Sequence, residues 1–496
     1  MLSAAALLCG AIMFAQNDPI TDTSGDTSPN YKVSGVAPVA TGANTGLSIQ
    51  NGNDNKVRVR QAGTSQDVYT HQDDGTGIGG NLATIMQTGS VQAESGVANK
   101  VNVMQSGTEN QSRTKQEGDY NMAITKQGKK NDASSGNKAM IRQGVAQQAE
   151  FNYAAIEQDG HDNQARTQQT YDNSDAWTQQ MGDDNKSQVI QNAGPNGTDG
   201  HSAMVDQLGN RNESTVSQSG LGGRNTSTLW QWGDDNKAGQ FQTTTAAFGN
   251  LGNRAGMQQG ADNLWLNTPL VDAVFTPIYN IDNENVPVFG NTLESYGALG
   301  IQNQGGFEQA ADMLQFGGSV GDSNYGEQEQ LAGHNNEAAM VQGHVAGDGG
   351  DNYAKQEQKG NSNYAGLAQS GSGMKALQTQ HGHNNYALSS QRGESHKLNV
   401  HQRGEENWAT TAQGGLGNVA LVVQKHGQSY SVEQNLDLGR FDLSAGANQA
   451  DILQLGPDGN FLTDGIDCYF DPQLPPPTWE DIPDLIIDPI CVGCPL

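Results

Sequence analysis

The 496 residues would suffice for about three or four ordinary domains of roughly 150 residues each, but the composition excludes a conventional large hydrophobic core. Only 34% of the residues are hydrophobic, 6% are aromatic and 64 are glycine, so the chain is either disordered or held together by something other than a thick apolar interior. The formal net charge of −28 disfavours nucleic acid and anionic membrane surfaces as partners, because both repel an acidic polymer.

The first 15 residues, MLSAAALLCGAIMFA, predict a secretory signal peptide. An apolar run ends at the small residue Ala15, and a polar segment, 16–45, follows it. The positively charged start expected of a signal peptide is missing. A transmembrane helix is disfavoured because the run is shorter than the roughly 20 residues that span a bilayer. A lipoprotein site at Cys9 fits poorly, because leucine directly precedes the cysteine.

The motif Gln-x-Gly-x-x-Asn recurs along the chain, which is typical of an architectural unit, whereas a catalytic motif normally occurs once. In 402–424, QRGEENWATTAQGGLGNVALVVQ, two copies overlap, and each continues with an alanine and a closing glutamine. The twelve copies are Gln50, Gly52 and Asn55; Gln105, Gly107 and Asn110; Gln116, Gly118 and Asn121; Gln158, Gly160 and Asn163; Gln180, Gly182 and Asn185; Gln207, Gly209 and Asn212; Gln231, Gly233 and Asn236; Gln258, Gly260 and Asn263; Gln358, Gly360 and Asn363; Gln380, Gly382 and Asn385; Gln402, Gly404 and Asn407; and Gln413, Gly415 and Asn418.

Degenerate copies keep Gln-x-Gly and lose the asparagine, and in the best stretch the copies follow one another every 11 residues. That stretch runs from Gln358 to Gln424. The degenerate copies begin at Gln61, Gln87, Gln218, Gln315, Gln369, Gln391 and Gln454.

Proline supports the same division of the chain, because it cannot donate to a sheet and is excluded from central strands. Of 15 prolines, only four lie between residues 39 and 456, and three of these fall in a segment without the motif. The predicted organisation is a signal peptide at 1–15, a polar segment at 16–45, repeats at 46–263, an insertion at 264–300, repeats at 301–456 and a proline-rich tail at 457–496.

The specified residues share one face if the chain is extended. In a strand, side chains alternate between two faces, so Asn407, Ala409, Thr411, Gln413 and Gly415 point the same way. A helix would spread these positions around its axis. The two residues between Gly and Asn are turn formers in most copies, and the glycine supplies a permissive backbone. Each 11-residue unit therefore predicts one strand and one turn.

Two such units make a strand-turn-strand rung of about 22 residues, which cannot bury its inner face alone and must stack, as in a solenoid. The sequence thus predicts an all-β fold, a β-solenoid in which Gln lies over Gln and Asn over Asn. Such amide ladders avoid the roughly 1–3 kcal/mol cost of each unpaired buried amide. About 17 or 18 rungs at roughly 4.8 Å would give a rod on the order of 80 Å long, with open end rungs where another chain could add.

The motif, its spacing of 11 and 22 residues and the signal-like N-terminus closely resemble the curlin repeat of curli subunits, a secreted functional amyloid of bacterial biofilms. The resemblance covers 46–263 and 301–456. It implies export to the cell surface through a dedicated outer-membrane channel, interaction with a nucleator or other subunits, and polymerisation into adhesive fibres. The Gln, Gly and Asn triplets given above would be the stacking residues. Curli subunits are shorter, with about five repeats, and lack the insertion and the cysteine-bearing tail.

The tail contains Cys468, Cys491 and Cys494. The last two have Cys-x-x-Cys spacing and are a possible disulfide. Structural zinc usually requires four ligands and the tail has no histidine, so a metal site is disfavoured. A thioredoxin-like role lacks its βαβ context. The alternation of acidic and apolar residues in WEDIPDLIIDPICVGCPL suggests that the tail docks on an end rung or a partner.

Paired acids in the turns are expected to be solvated gatekeepers against premature stacking. No cofactor and no metal site is expected, and no nucleotide-binding, zinc-protease or serine-hydrolase motif points to an enzyme.

We therefore expect a structural subunit of an extracellular fibre that assembles by stacking of rungs, serving adhesion and the biofilm matrix, with itself as principal partner. A monomeric solenoid stalk of a surface adhesin is the main alternative, and a polysaccharide-active β-helix enzyme is another.

Overall fold

A computed structural model describes residues 44–74, 79–89, 99–128, 134–144, 149–194, 200–220, 223–244, 252–260, 295–317, 323–343, 350–437, 440–441, 446–455 and 478–487. The predicted signal peptide, nearly all of the polar N-terminal segment, most of the insertion and the tail cysteines lie outside these ranges. The described residues form an all-β solenoid, so the predicted fold is confirmed.

Strands alternate along the chain between two parallel sheets. Sheet 1 stacks, in order, β1 (Thr45–Asn51), β3 (Gln66–Asp73), β5 (Asn99–Ser106), β7 (Asn121–Gln127), β10 (Tyr153–Asp159), β12 (Asp175–Met181), β14 (Ser202–Leu208), β16 (Thr226–Asp234), β18 (Arg254–Gln259), β21 (Ala310–Gln315), β23 (Glu337–Gln342), β25 (Tyr364–Ser372), β27 (Tyr386–Glu394), β29 (Trp408–Leu416) and β31 (Ser429–Gln434).

Sheet 2 stacks, in order, β2 (Lys56–Ala62), β4 (Leu82–Thr88), β6 (Gln111–Asp119), β8 (Lys138–Gln143), β11 (Gln164–Thr170), β13 (Lys186–Asn192), β15 (Glu213–Gly220), β17 (Lys237–Thr244), β20 (Leu299–Gly306), β22 (Tyr325–Ala332), β24 (Tyr353–Asn361), β26 (Lys375–His383), β28 (Lys397–Glu405), β30 (Val419–Lys425) and β34 (Gln449–Leu455). Short strands β9 (Ala149–Glu150) and β19 (Ser295–Tyr296) pair beside this path, and β32 (Leu436–Asp437) pairs with β33 (Arg440–Phe441) in a small hairpin.

One strand from each sheet makes a rung, and the described strands form 15 rungs, which we number from the N-terminal end. At roughly 4.8 Å per rung the rod is about 70 Å long. Fewer rungs are present than the 17 or 18 expected, because many rungs contain more than 22 residues. Equivalent glutamines are 22 residues apart at Gln358 and Gln380 but 33 apart at Gln72 and Gln105.

The inner face of each strand carries the residues that the motif specifies. In β29, Ala409, Thr411 and Gln413 are buried, whereas Trp408 on the other face is 48% exposed. The apolar interior is one thin layer, made mainly of an alanine and one aliphatic residue per strand. Alanine keeps the two sheets close, so little apolar area is buried per rung, and polar contacts must provide much of the order.

The stacking continues across the insertion. Strand β17, before it, pairs directly with β20, after it, and β18 pairs directly with β21. The insertion therefore lies inside one rung, the ninth, between its strands β18 and β20, and it does not change the register of the sheets. Strand β19 and the first two residues of β20 fall within the predicted bounds 264–300.

Candidate assembly surface: stacked amide columns

Two columns of glutamines run the length of the described rod, one in each sheet. In both, the side-chain Nε2 of one glutamine donates to Oε1 of the glutamine in the next rung, at 2.7–2.9 Å in sheet 1 and 2.8–3.0 Å in sheet 2. The direction of donation is the same at every step. Each column therefore has a direction, with donors pointing toward one end and acceptors toward the other, like the hydrogen bonds along a helix.

Each glutamine amide after Gln50 also joins the two sheets. In sheet 2, Gln380 donates to the backbone carbonyl of Tyr364 in the facing strand at 2.8 Å, in addition to Oε1 of Gln402. In sheet 1, Gln391 donates to the carbonyl of Lys375 as well as to Gln413. Both hydrogens of the amide are thus used, and a buried amide in the column has no unsatisfied donor.

Asparagines form further columns at the corners, just before the strands. Asn185 donates Nδ2 to Oδ1 of Asn163 at 3.0 Å, and its backbone N–H reaches the same oxygen at 3.0 Å. Its second side-chain donor bonds the carbonyl of Gly209 in the next rung at 2.7 Å. The asparagine thereby ties its own corner to the preceding asparagine and to the following glycine.

The motif requires glycine at this position because the backbone has a positive φ and because there is no space for a Cβ atom. Gly182 has φ of +110°, and a Cβ built on it would lie 2.2 Å from the carbonyl oxygen of Gly209. Asp184, the second turn residue, lies in the left-handed region with φ of +58°, which aspartate and asparagine tolerate better than most residues. The Gln, Gly and Asn of one motif therefore lie at one corner, and the side chains of Gln180 and Asn185 bond that corner to the rungs before and after it.

Turn acids have a structural contact as well as solvent exposure. Asp183 Oδ1 accepts from the backbone N–H of His161 at 2.9 Å, and Asp234 Oδ1 accepts from that of Asn210 at 2.8 Å. Arg211 forms a fork to Asp235 at 2.7 and 2.8 Å. These contacts also connect one rung to the next.

The predicted glutamines enter the columns, with one difference of register. Gln258 is buried, but the member of the glutamine column in that rung is Gln259, which links Gln231 to Gln315. The motif misplaces this rung because Gly260 directly follows the column glutamine. The predicted glutamines that are column members are Gln50, Gln105, Gln116, Gln158, Gln180, Gln207, Gln231, Gln358, Gln380, Gln402 and Gln413.

The predicted glycines all have a positive φ, from +73° at Gly260 to +128° at Gly382. The prediction placed the glycine on the strand face, directly before the two-residue turn. In half of the copies the strand does continue through the glycine, because the backbone still pairs with the next rung there, and in the other half the strand ends before it. The glycines inside strands are Gly118, Gly233, Gly360, Gly382, Gly404 and Gly415. The glycines outside strands are Gly52, Gly107, Gly160, Gly182, Gly209 and Gly260.

The predicted asparagines lie at the corners, and those inside the rod are at most 1% exposed. Asn55, in the first rung, is partly exposed, and its Oδ1 accepts from the backbone N–H of Asn81 at 2.9 Å. Asn263, like Cys491 and Cys494, lies outside the described residues. The buried asparagines are Asn110, Asn121, Asn163, Asn185, Asn212, Asn236, Asn363, Asn385, Asn407 and Asn418.

The expectation that asparagine always lies over asparagine is wrong at several corners. The backbone N–H of Ala298 lies over Asn236, that of Met374 over Asn352, and that of Gln428 over Asn407. Each still donates to the asparagine oxygen of the rung before. An asparagine at a corner donates to the preceding asparagine with both its backbone N–H and its side-chain amide. A residue without that side-chain amide can replace it, because its backbone N–H still makes one of these two bonds.

Most of the predicted triplets join rungs of one chain and do not lie at an end of the rod. Only Gln50, Gly52 and Asn55 belong to an end rung of the described solenoid, the corner between β1 and β2. The predicted stacking role therefore divides into two. The triplet Gln50, Gly52 and Asn55 lies where another molecule could stack, whereas the other described triplets make contacts within one molecule.

Sequence reasoning missed column members whose corner departs from the motif. In one class glycine follows the glutamine directly, and a longer loop replaces the two-residue turn. Most of the missed members could have been found by keeping the strand phase, with small or aliphatic residues two and four positions before the glutamine. Gln304 and Gln330 have a glutamine two positions before, and Gln434 has a tyrosine four positions before. The missed members are Gln72, Gln143, Gln191, Gln259, Gln304, Gln330, Gln342 and Gln434. Three further members, Gln127, Gln169 and Gln242, are the closing glutamines of the motif copies that begin at Gln116, Gln158 and Gln231.

A third glutamine column lies inside the rod and was also missed. In sheet 2 it replaces the aliphatic residue that comes two positions before the column glutamine, over rungs 8–12. Its axial bonds are 2.8–2.9 Å long, and it faces leucine and methionine side chains of sheet 1. Its members are Gln240, Gln302, Gln328, Gln356 and Gln378.

This interior column is closed at both ends by serines. Ser227 donates Oγ–H to Oε1 of Gln240 at 3.0 Å, and Gln378 donates to Oγ of Ser389 at 2.8 Å. Gly300 provides space beside the column, since a Cβ there would lie 2.6 Å from Sδ of Met257.

Histidine replaces asparagine at two corners and introduces titratable groups. Asn418 N–H donates to Nδ1 of His396 at 3.1 Å, as it would to an asparagine oxygen. His201 is fully buried, and burial lowers its pKa to about 4. Burial also lowers the pKa of His396. Burial at these two corners therefore favours the neutral imidazole of His201 and of His396.

The flanking glutamine columns end on complementary groups. Among the described strands, the paths stop at β1 and β2 on one side and at β31 and β34 on the other. Because each glutamine donates toward the C-terminal side, Gln50 and Gln61 are the first members, with Oε1 toward the N-terminal end. Gln434 and Gln454 are the last members and contribute amide donors at the C-terminal end.

Comparison with protein-family models and with curated proteins found no match to this chain. In the part of the chain that the structure describes, no helix is long and apolar enough to cross a membrane. Within the same residues, no group of three or more His, Cys, Asp or Glu side chains is placed to hold a metal ion.

Proposed function

We propose that this protein is a structural subunit of an extracellular fibre, in which copies stack rung on rung, end to end, with the same polarity. The observation that carries the proposal is the pair of flanking glutamine columns, which run in one direction and end on acceptors at one side and donors at the other. The resemblance to curlin repeats supports a role in the biofilm matrix and in adhesion, with export through a curli-type outer-membrane channel.

Continuing the two columns into a second copy fixes the register of the junction. Gln434 would donate to Gln50 of the next copy and Gln454 to its Gln61, which places β31 against β1 and β34 against β2. The outer backbone edges of these strands are then paired as well. Exposed sheet edges are templates for such addition.

Side chains at the two ends fit this register. Tyr430, at the alanine position of the last rung and 39% exposed, would lie over Gly46 of the next copy, where no side chain competes for the space. Asp451 would lie over Arg58. Opposite charges one rung apart favour this junction. Stacking two N-terminal ends or two C-terminal ends together would lose both the Tyr430–Gly46 and the Asp451–Arg58 match.

The first experiment is incubation of purified 16–496, followed by seeding of fresh protein with the product. We expect dye-binding fibrils that seed, with a reflection near 4.8 Å along the fibre axis. A stable monomer that never seeds would refute the fibre and favour the adhesin stalk, in which the same solenoid remains a monomer and no further copies add to its ends.

A charge exchange tests the register itself. Asp451→Arg should slow elongation because it faces Arg58 of the next copy, and Arg58→Asp should slow it for the same reason. The double variant restores the opposite-charge pair and should elongate near the wild-type rate. If the double variant is slower than both single variants, the junction register is wrong.

A further inference from the structure

A C-terminal segment lies on the side of the rod, on the outer face of sheet 2. Residues 478–487, TWEDIPDLII, cross four rungs, from β17 to β11. Trp479, Ile482 and Leu485 are partly buried and Ile487 is 7% exposed, whereas Asp481 and Asp484 remain exposed. A three-residue repeat of inward side chains is the period of a polyproline II helix. The predicted docking on an end rung is therefore wrong: in this structure the tail docks along the side of its own chain, over rungs 5–8.

The contacts of this segment follow one column of outward residues, the first residue of each strand, which we call the tail strip. It consists of Gln164, Lys186, Glu213 and Lys237.

Charge complementarity sets the register of the segment on the strip. Lys237 Nζ lies 2.7 Å from Oδ1 of Asp481, and Lys186 Nζ lies 2.7 Å from Oδ1 of Asp484. Each ammonium holds the pKa of its aspartate below the usual value. Between these pairs, Glu213 Oε2 accepts from Nε1 of Trp479 at 2.8 Å.

The charge order of the strip is specific to this part of the rod. Lys, Glu, Lys occupy the first positions of β13, β15 and β17. No other three consecutive strands of sheet 2, among those described, begin with this order. The segment carries the matching order, with Asp484 for one lysine and Asp481 for the other.

The connection to the strip is long enough to reach two different copies. Strand β34 ends at Leu455 in rung 15, and 22 residues separate it from Thr478. Extended, these could span about 70 Å. Rung 8 of the same chain is about 34 Å away along the rod, and rung 8 of a copy stacked on rung 15 would be about 38 Å away.

From this geometry we infer that, in the fibre, the tail strip of each copy is also a docking site for the tail of the copy stacked before it. The inference rests on the proposed function, because it requires end-to-end stacking. A tail tethered at rung 15 meets the two strips at comparable effective concentrations, so docking across the junction competes with docking on the same chain. Tails bound across junctions hold successive copies together without any new contact surface.

Isotope mixing with zero-length cross-linking tests the inference on the wild-type chain. Unlabelled and ¹⁵N-labelled proteins are mixed in equal amounts, assembled, and treated with a carbodiimide, which joins a lysine amine to a carboxylate in direct contact as an amide. Mass spectrometry then identifies the pairs Lys237–Asp481 and Lys186–Asp484 and sorts them into same-isotope and mixed-isotope products. We expect mixed pairs in the fibre, approaching half of the total if every tail docks on the neighbouring copy, and only same-isotope pairs in the monomer.

The matched control is the pair of Lys355 and Glu329, 2.9 Å apart in adjacent rungs of one chain, which must remain same-isotope in every sample. Fibres that yield only same-isotope Lys237–Asp481 pairs would overturn tail exchange and leave the fibre intact. A sample that never forms fibres would instead remove the proposed function, and the inference with it.

Charge reversal gives an independent readout. A copy with Lys186→Glu and Lys237→Glu cannot hold a wild-type tail, and a copy with Asp481→Lys and Asp484→Lys cannot hold its tail on a wild-type strip. Mixed fibres of the two restore complementary pairs across junctions only. We expect the tails to be cleaved by a protease in fibres of either variant alone, and the lysine-bearing tails to be protected in the mixed fibre. Equal cleavage in all three samples would contradict exchange.

Discussion

The interior glutamine column and the two flanking columns use the same side chain and the same bond, but they end differently. The interior column spans rungs 8–12, and serines close it at both ends. The flanking columns continue through every described rung and end on glutamines. A ladder that is closed within the chain contributes to the stability of one molecule, whereas one that reaches the end rungs also provides groups for the next molecule. The same glutamine–glutamine bond thus serves folding alone in the interior column, and both folding and assembly in the flanking columns.

The largest effect should come from breaking a column in the middle. Gln380→Met and Gln328→Met each leave a buried donor on one side and a buried acceptor on the other, so we expect each to lower the free energy of local opening by roughly 3–5 kcal/mol. Amide hydrogen exchange on fresh monomer measures this rung by rung. Lys375→Met, at an exposed site on the same strand as Gln380, is the control and should change it little.

The next effect concerns pH, because His201 is a titratable member of a column otherwise made of amides and hydroxyls. Its pKa in the folded chain, about 4, is below that of a free histidine, so the unfolded chain binds more protons between pH 4 and about 6.5. Stability is therefore full above pH 6.5 and falls as the pH drops toward 4, by at most about 3 kcal/mol.

Substituting His201→Asn should remove this part of the pH dependence. Burial raises the pKa of Asp206 to about 6, which acts in the opposite direction, so the informative quantity is the difference between wild type and variant. An identical decline in both proteins from pH 6.5 to 4 would show that His201 does not carry it.

Replacing the whole interior column should cost less than breaking it once. With all five members changed to methionine, no half-bonded amide remains, and methionine has nearly the volume of glutamine. We expect a loss of about 1.5 kcal/mol or less, measured by the same hydrogen exchange, against roughly 3–5 kcal/mol for Gln328→Met alone. Additive losses from the five substitutions would contradict the idea that the column acts as a unit.

The smallest effect should come from the serine at the end of the interior column. Ser389→Ala removes the acceptor for one hydrogen of Gln378, while the carbonyl of Gly366 still accepts the other, so about 1 kcal/mol is expected. Ser390→Ala, on the opposite face of the same strand, is the matched control and should be close to neutral. Elongation rates should be unchanged in both, because neither serine lies in an end rung.

The fold was predictable because the motif is periodic at three levels: two residues for the strand face, 11 for the strand and turn, and 22 for the rung. The column membership was less predictable. Rungs with long corners lose the fixed spacing, so Gln127 and Gln143 have no Gln-x-Gly signature, and Gln258 was chosen where Gln259 stands. In these rungs, only the pairing of neighbouring strands decides which glutamine enters the column.

The sequence by itself determined the solenoid and its main amide columns, because side-chain alternation and the conformational needs of Gly182 and its equivalents are local properties. Tertiary structure alone decided the rest. The interior column arises because rungs 8–12 bring five glutamines of unremarkable spacing into one line, between serines that lie far apart in the sequence. The tail strip likewise exists only after folding, since Lys186, Glu213 and Lys237 become neighbours by stacking, and their side chains then match a segment 244 to 298 residues later.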